Sequence, residues 1–230
     1  MKNFVFLIGR ILINEKNFYS FLDARLFNLL NEFGAKIDRR NYDAIRNNII
    51  NDNKSQEDWI GELVNQISKA LMPAGYEKMI LKYMLQSIEF AEKHFLYPHE
   101  DAKRTLEILS RNYKLGIIME PNCIISKIVA SYELHKYFYC HILYRPESYS
   151  ISEIFNLIVP KLKTNPKKCL FVGDRLDTHI QMANRLGMTT IMLTNSPFGR
   201  QVHPKKNEFP KFKINNLSEL VDSNLIINQN

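Results

Sequence analysis

LFVGDRLDTHIQMANRLGMTTIML, residues Leu170–Leu193, decides the fold of this chain. It begins as a short apolar run, turns at Val172, Gly173 and Asp174, continues at helical spacing with small residues, and stops at Gly187 and Met188 before a second apolar run. Strand, glycine turn, helix and strand in that order make a βαβ unit, which implies two parallel strands joined by a crossover. The alternation extends upstream to Pro98, through helix HEDAKRTLEILSRN, strand KLGIIM, helix CIISKIVASYELHKYF, strand CHILY, helix SEIFNLIV and strand KCLFVGD. The expected core is an α/β, doubly wound, Rossmann-like parallel sheet.

A further strand-like run, FVFLIGRIL, stands far from these at Phe4–Leu12. Between it and residue 97 the pattern is helical throughout. Phe18, Phe21, Leu22, Leu26, Leu29, Leu30 and Phe33 share one helix face, and Gly34 suits the left-handed residue that ends a helix. A second helix runs from near Asp38 through Tyr42, Ile45 and Ile49. Ser55 and Asp58 form a capping box ahead of Trp59, Leu63, Val64 and Ile67, and Pro73 is placed to open a long helix reaching about Leu96. Consecutive helices with no strand between them cannot lie inside a parallel sheet. Residues 15–96 therefore read as a helical-bundle cap inserted after the first strand, and residues 1–14 and 97–230 as the core domain.

Composition narrows the classes. The chain has 230 residues and 45% hydrophobic content, enough for a full core without disulfides or metal. Cys123, Cys140 and Cys169 show neither a CxxC pair nor zinc-ligand spacing, which fits a reducing, cytoplasmic setting. The run Phe4–Ile13 is broken by Arg10 and lacks a small-residue cleavage site, so it reads as mature structure rather than a leader. No segment approaches the roughly 18 apolar residues of a membrane span, and a soluble protein is expected. The net charge of +7 is spread along the chain, with only the pair Lys205 and Lys206 dense in its C-terminal part, so no nucleic-acid partner is expected.

The Val-Gly-Asp turn, the Gly-Met helix ending, YPHEDAKRTLEILSRNYKLGII and NEFG together resemble the haloacid dehalogenase superfamily, most of whose members are phosphatases. The resemblance covers nearly the whole chain. It implies a nucleophilic Asp after the first strand, an acid/base Asp two residues on, a Ser or Thr after the second, a Lys beyond the third, and acidic Mg²⁺ ligands after the fourth. Laid on this chain, the usual Asp-x-Asp-Gly-Thr turn puts its glycine on Gly9, its aspartates on Phe6 and Ile8, and its threonine on Arg10. The hydroxyl position falls on Met119, beside Glu120 and Asn122, and the lysine position on Tyr149 or Arg145. Asp174 stands in the fourth motif, but the acidic position five residues later is His179, with Asp177 nearby.

Neither Phe nor Ile attacks phosphorus, donates a proton or binds Mg²⁺. Loss of the family's chemistry is the expectation, with no catalytic residue and no cofactor. Asp174 reads as a helix cap rather than a ligand; His179 as an ordinary helix residue; Cys123 as a buried thiol rather than a nucleophile. Arg10, with Gly9, Glu120, Asn122, Arg145, Asp174 and Arg175 on the same rim, points instead to a phosphate-bearing or other anionic small molecule, or to a regulatory protein partner. The alternative is an active Mg²⁺-dependent phosphohydrolase with a rearranged site using Asp174, Asp177 and Glu120.

Overall fold

Described in the computed structural model are residues 3–7, 11–51, 59–119, 124–143, 151–196 and 206–222. In chain order these form β1 (Asn3–Leu7), β2 (Ile13–Asn14), α1 (Lys16–Glu32), α2 (Arg39–Asn51), α3 (Trp59–Leu71), α4 (Tyr76–Phe95) and β3 (Tyr97–Pro98). There follow α5 (Ala102–Asn112), β4 (Leu115–Met119), α6 (Ile124–Ser131), β5 (Cys140–Leu143), α7 (Ile151–Lys161), β6 (Cys169–Gly173), α8 (Gln181–Arg185), β7 (Thr189–Leu193), β8 (Phe212–Ile214) and α9 (Glu219–Asp222). Two compact units divide the chain, Met1–Glu15 with Tyr97–Asn230, and Lys16–Leu96.

The larger unit holds a six-stranded sheet in the order β5-β4-β1-β6-β7-β8, every neighbouring pair parallel. Its central strands β1, β4 and β6 are near-continuous apolar runs because both faces are covered, as all five buried residues of β6 illustrate. From β5 at one edge the chain returns past β4 and β1 to enter β6, then proceeds outward to β8. Strand order thus reverses between β1 and β6, and in open α/β sheets ligands bind beyond the carboxyl ends of the strands at such a point. On one face, Val5, Ile118, Ile142 and Phe171 pack with Ile154, Phe155 and Ile158 of α7. Each such fully buried aliphatic or aromatic side chain contributes about 1.5–3 kcal/mol relative to exposure. The α/β Rossmann-like core is the one the sequence pattern implies.

In the helical unit, Leu22, Leu26, Leu29 and Leu30 form the buried stripe of α1, and Gly34 terminates the chain's helical path at φ 94°. Asp38 caps α2, its Oδ1 accepting the Asn41 N–H at 2.9 Å. Tyr42 is fully buried and its hydroxyl donates to Asp23 Oδ1 at 3.1 Å. The capping box at Ser55 and Asp58 lies outside the described residues.

Six elements differ from the sequence pattern. The long helix does not open at Pro73 but at Tyr76, because Gly75 adopts φ 98° and breaks the path between them. The helix expected over residues 123–138 stops at Ser131, where Glu133 takes φ 57° and a short 3₁₀ turn, Leu134–Tyr137, carries the chain to β5. The segment after Asp174 begins as a π-turn, Leu176–Ile180, before α8. β8 and the two-residue antiparallel pair β2 and β3 carry no pattern long enough to read.

Candidate functional site

The switch point selects the carboxyl ends of β1 and β6. On β1, Phe6 pairs with Ile117 of β4 and Val172 of β6. Its side chain is fully buried, stacked on Phe4 at 6.0 Å and edge-on to Phe138 at 5.9 Å. Leu7 ends the strand. Ile8, Gly9 and Arg10 lie outside the described residues, as do Glu120, Asn122, Cys123, Arg145, Tyr149 and Lys205. Met119 is the last residue of β4, half-buried and level with Leu143 of β5.

Beyond β6 the described site is polar. Asp174 and Arg175 follow the strand directly and are both buried, 2% and 7% exposed. Asp177 and His179 sit on the π-turn that comes next. The Ile180 N–H donates to the Arg175 carbonyl at 2.9 Å, a hydrogen bond from residue i+5 back to residue i. The widened turn closes over the same number of residues as separate Asp174 from His179. It brings the imidazole Nδ1 to 3.4 Å from Asp174 Oδ1, with only 12% and 3% of the two side chains exposed. π-turns inside helices recur at functional sites.

Gly173 makes this approach possible. A Cβ there would lie 2.7 Å from the Phe171 ring and 3.2 Å from His179 Cβ, so the fold needs glycine for the π-turn to lie down on the strand end. Sequence spacing placed Asp174, Asp177 and His179 near one another; the direct pairing of Asp174 with His179 it did not reveal. Among the described residues, no three His, Cys, Asp or Glu side chains converge on a common point.

Behind the site, α8 is tied to the segment before β8. Asn184 Nδ2 donates to the carbonyls of Asn207 and Phe209 at 3.0 and 2.9 Å. Its Oδ1 accepts from the Thr190 hydroxyl at 2.8 Å. Gln181 donates to the buried carboxylate of Glu208 at 3.1 Å. These contacts span 23 to 27 residues for the loop and escape sequence reasoning.

A doubly wound parallel sheet with a Gly-Asp turn at its switch point places the chain among the Rossmann-like α/β folds, and the comparisons narrow it. The family described as HAD-hydrolase-like matches residues 150–220. A glyceraldehyde 3-phosphate phosphatase of Methanocaldococcus jannaschii is 24% identical over 228 residues, 96% of each chain. Among solved structures, a HAD phosphatase from Thermococcus onnurineus superposes with a TM-score of 0.55 at 22% identity, covering 96% of each chain. A HAD-superfamily hydrolase of subfamily IA from Geobacter sulfurreducens does so with a TM-score of 0.61 at 13% identity, over 96% of this chain and 95% of the other. Fold, family match and relatives agree: over nearly its whole length the chain is similar to phosphatases and hydrolases of the haloacid dehalogenase (HAD) type, with residues 150–220 matching the HAD-hydrolase-like family.

Proposed function

We propose that this HAD-superfamily protein has left Mg²⁺-dependent phosphoryl transfer and binds a phosphate-bearing or other anionic small molecule at the carboxyl end of its core sheet, in a regulatory role. The observation that carries this reading is the apolar end of β1. The sequence from Phe4 to Leu12, whose first residues form β1, has no aspartate or other group able to attack phosphorus, and Phe6 is committed to the aromatic layer with Phe4 and Phe138. Covalent catalysis needs an activated nucleophile, and a phenyl or branched alkyl group cannot serve as one.

Anion binding remains within reach of the same residues. A guanidinium from Arg10 with the backbone N–H groups of the glycine turn would receive a phosphate in place of a cation. The named activity of the Methanocaldococcus jannaschii relative, on glyceraldehyde 3-phosphate, supports small phosphorylated metabolites as the class to test first. The test is calorimetry with inorganic phosphate, sugar phosphates and nucleotides on wild type and Arg10→Ala. Binding lost in the variant supports the reading; no binding, or binding indifferent to Arg10, contradicts it.

A second reading keeps the enzyme, with Asp174, Asp177 and Glu120 serving a rearranged Mg²⁺ site. Its support is the buried Asp174 at the end of β6, where a family member would hold its metal. That reading requires Mg²⁺-dependent turnover abolished by Asp174→Ala.

A further inference from the structure

The residues at the end of β6 fit Mg²⁺ poorly. That ion demands near-octahedral oxygen ligation and gives up its water reluctantly. Here the side chain closing on Asp174 is an imidazole, a nitrogen ligand, and its Nδ1 occupies the approach to Asp174 Oδ1 at 3.4 Å. We infer that His179 takes the place of the divalent cation: its imidazole stands against the buried Asp174 carboxylate, 3.4 Å from Oδ1, in the position a metal ion would otherwise occupy.

Three observations converge on this. A buried carboxylate costs several kcal/mol unless a hydrogen-bonding or charged partner compensates it, and Asp174 is 2% exposed. The π-turn and the bare Cα of Gly173 together seat His179 over Asp174; a regular α-helical turn would separate residues 174 and 179 by about 140° around the axis, at ~100° per residue. The exchange also sits at the position where the resemblance calls for an acid, so one substitution removes an oxygen ligand and supplies the counter-group to the one left behind. The chain's other acid nearby, Asp177, is half-buried on the same π-turn. The inference deepens the reading of the chain as having left metal-dependent chemistry and rests on it.

The experiment is thermal unfolding of the full chain in EDTA and in saturating Mg²⁺, for wild type, His179→Asn and His179→Asp. Wild type is expected to melt at the same Tm in both. His179→Asn, which removes the imidazole, should melt several degrees lower and equally in both solutions. His179→Asp, which sets a third carboxylate beside Asp174 and Asp177, should be weakened most in EDTA and regain several degrees in Mg²⁺, since a ligand that binds only the folded state raises its melting temperature. A wild type stabilised by Mg²⁺, with the gain lost in Asp174→Asn, would overturn the inference; so would a folded His179→Asp that ignores Mg²⁺. Should His179→Asp fail to fold, calorimetric titration of wild type with Mg²⁺ decides: heat of binding that vanishes in Asp174→Asn overturns it, and no heat sustains it. The two proposals fail separately. A wild type indifferent to Mg²⁺ that also binds no phosphate would leave His179 in this role and remove the anion reading.

Discussion

Replacing Phe6 with alanine tests where the end of β1 points. Phe6 is fully buried and its ring contacts Phe4 at 6.0 Å and Phe138 at 5.9 Å, with Phe138 edge-on at 80°. Phe→Ala in a well-packed core costs about 3–5 kcal/mol, a figure that already contains the lost aromatic contacts. At ~4 kcal/mol the folded-to-unfolded ratio falls by roughly a thousandfold, a large share of the 5–15 kcal/mol that holds a typical domain together. With a urea slope of about 2–3 kcal/mol per molar, the midpoint should drop by roughly 1.5–2 M. Circular dichroism is the suitable signal, because the chain's one tryptophan, Trp59, lies in the helical unit and reports on that unit instead. Phe6→Asp goes further: it removes the ring and buries a carboxylate, so no folded core is expected. A simple return of aspartate to this position would therefore unfold the protein rather than activate it. A midpoint lowered by less than about 0.3 M in Phe6→Ala, with Phe6→Asp folded, would place the side chain in the open cleft and refute the reasoning.

Other consequences follow from the same geometry. Gly116→Ala should destabilise by about 1–3 kcal/mol, measured as a fall in Tm, because its new Cβ would lie 2.9 Å from Ile158 Cδ1 and 3.3 Å from Leu162 Cδ1, both in the core. Asn184→Ala should cost about 2–3 kcal/mol in chemical denaturation and speed proteolysis at residues 206–211, since it removes three hydrogen bonds worth about 1 kcal/mol each. The thiol of Cys169 is pushed up by burial to about 12. At pH 8 a thiol with a pKa near 9 is about one-tenth thiolate and Cys169 about one ten-thousandth, so native-state alkylation mapped by mass spectrometry should find Cys169 roughly a thousandfold slower than an ordinary thiol, accelerating as pH rises.

What could be read without coordinates follows from range. The central strands were legible because burial on both faces makes LFV and LGII continuous apolar runs, and the run of helices after β1 was legible because Leu22, Leu26, Leu29 and Leu30 repeat at helical spacing. Side-chain alternation along β1 also carries a signal: Phe6 shares a face with Phe4, two residues earlier. The breaks were harder. Glu133 in the left-handed region interrupts a segment whose apolar spacing continues past it, and no residue in DTHIQ announces a π-turn rather than an α-turn. The pairing of Asp174 with His179 depends on that turn and on Gly173, so residue types at the right spacing pointed to the site but not to the contact. Glu208 and Gln181, 27 residues apart, meet only through the fold. No helix among the described residues is long and apolar enough to cross a membrane.

The most direct measurement is turnover of an aryl phosphate by wild type and Asp174→Ala, at high enzyme concentration, with and without Mg²⁺. No turnover above the uncatalysed rate in either protein is the predicted result, and it would direct the search to anionic ligands. Mg²⁺-dependent turnover in wild type, abolished by Asp174→Ala, would contradict the account and show a working phosphatase site built without a carboxylate at the end of β1.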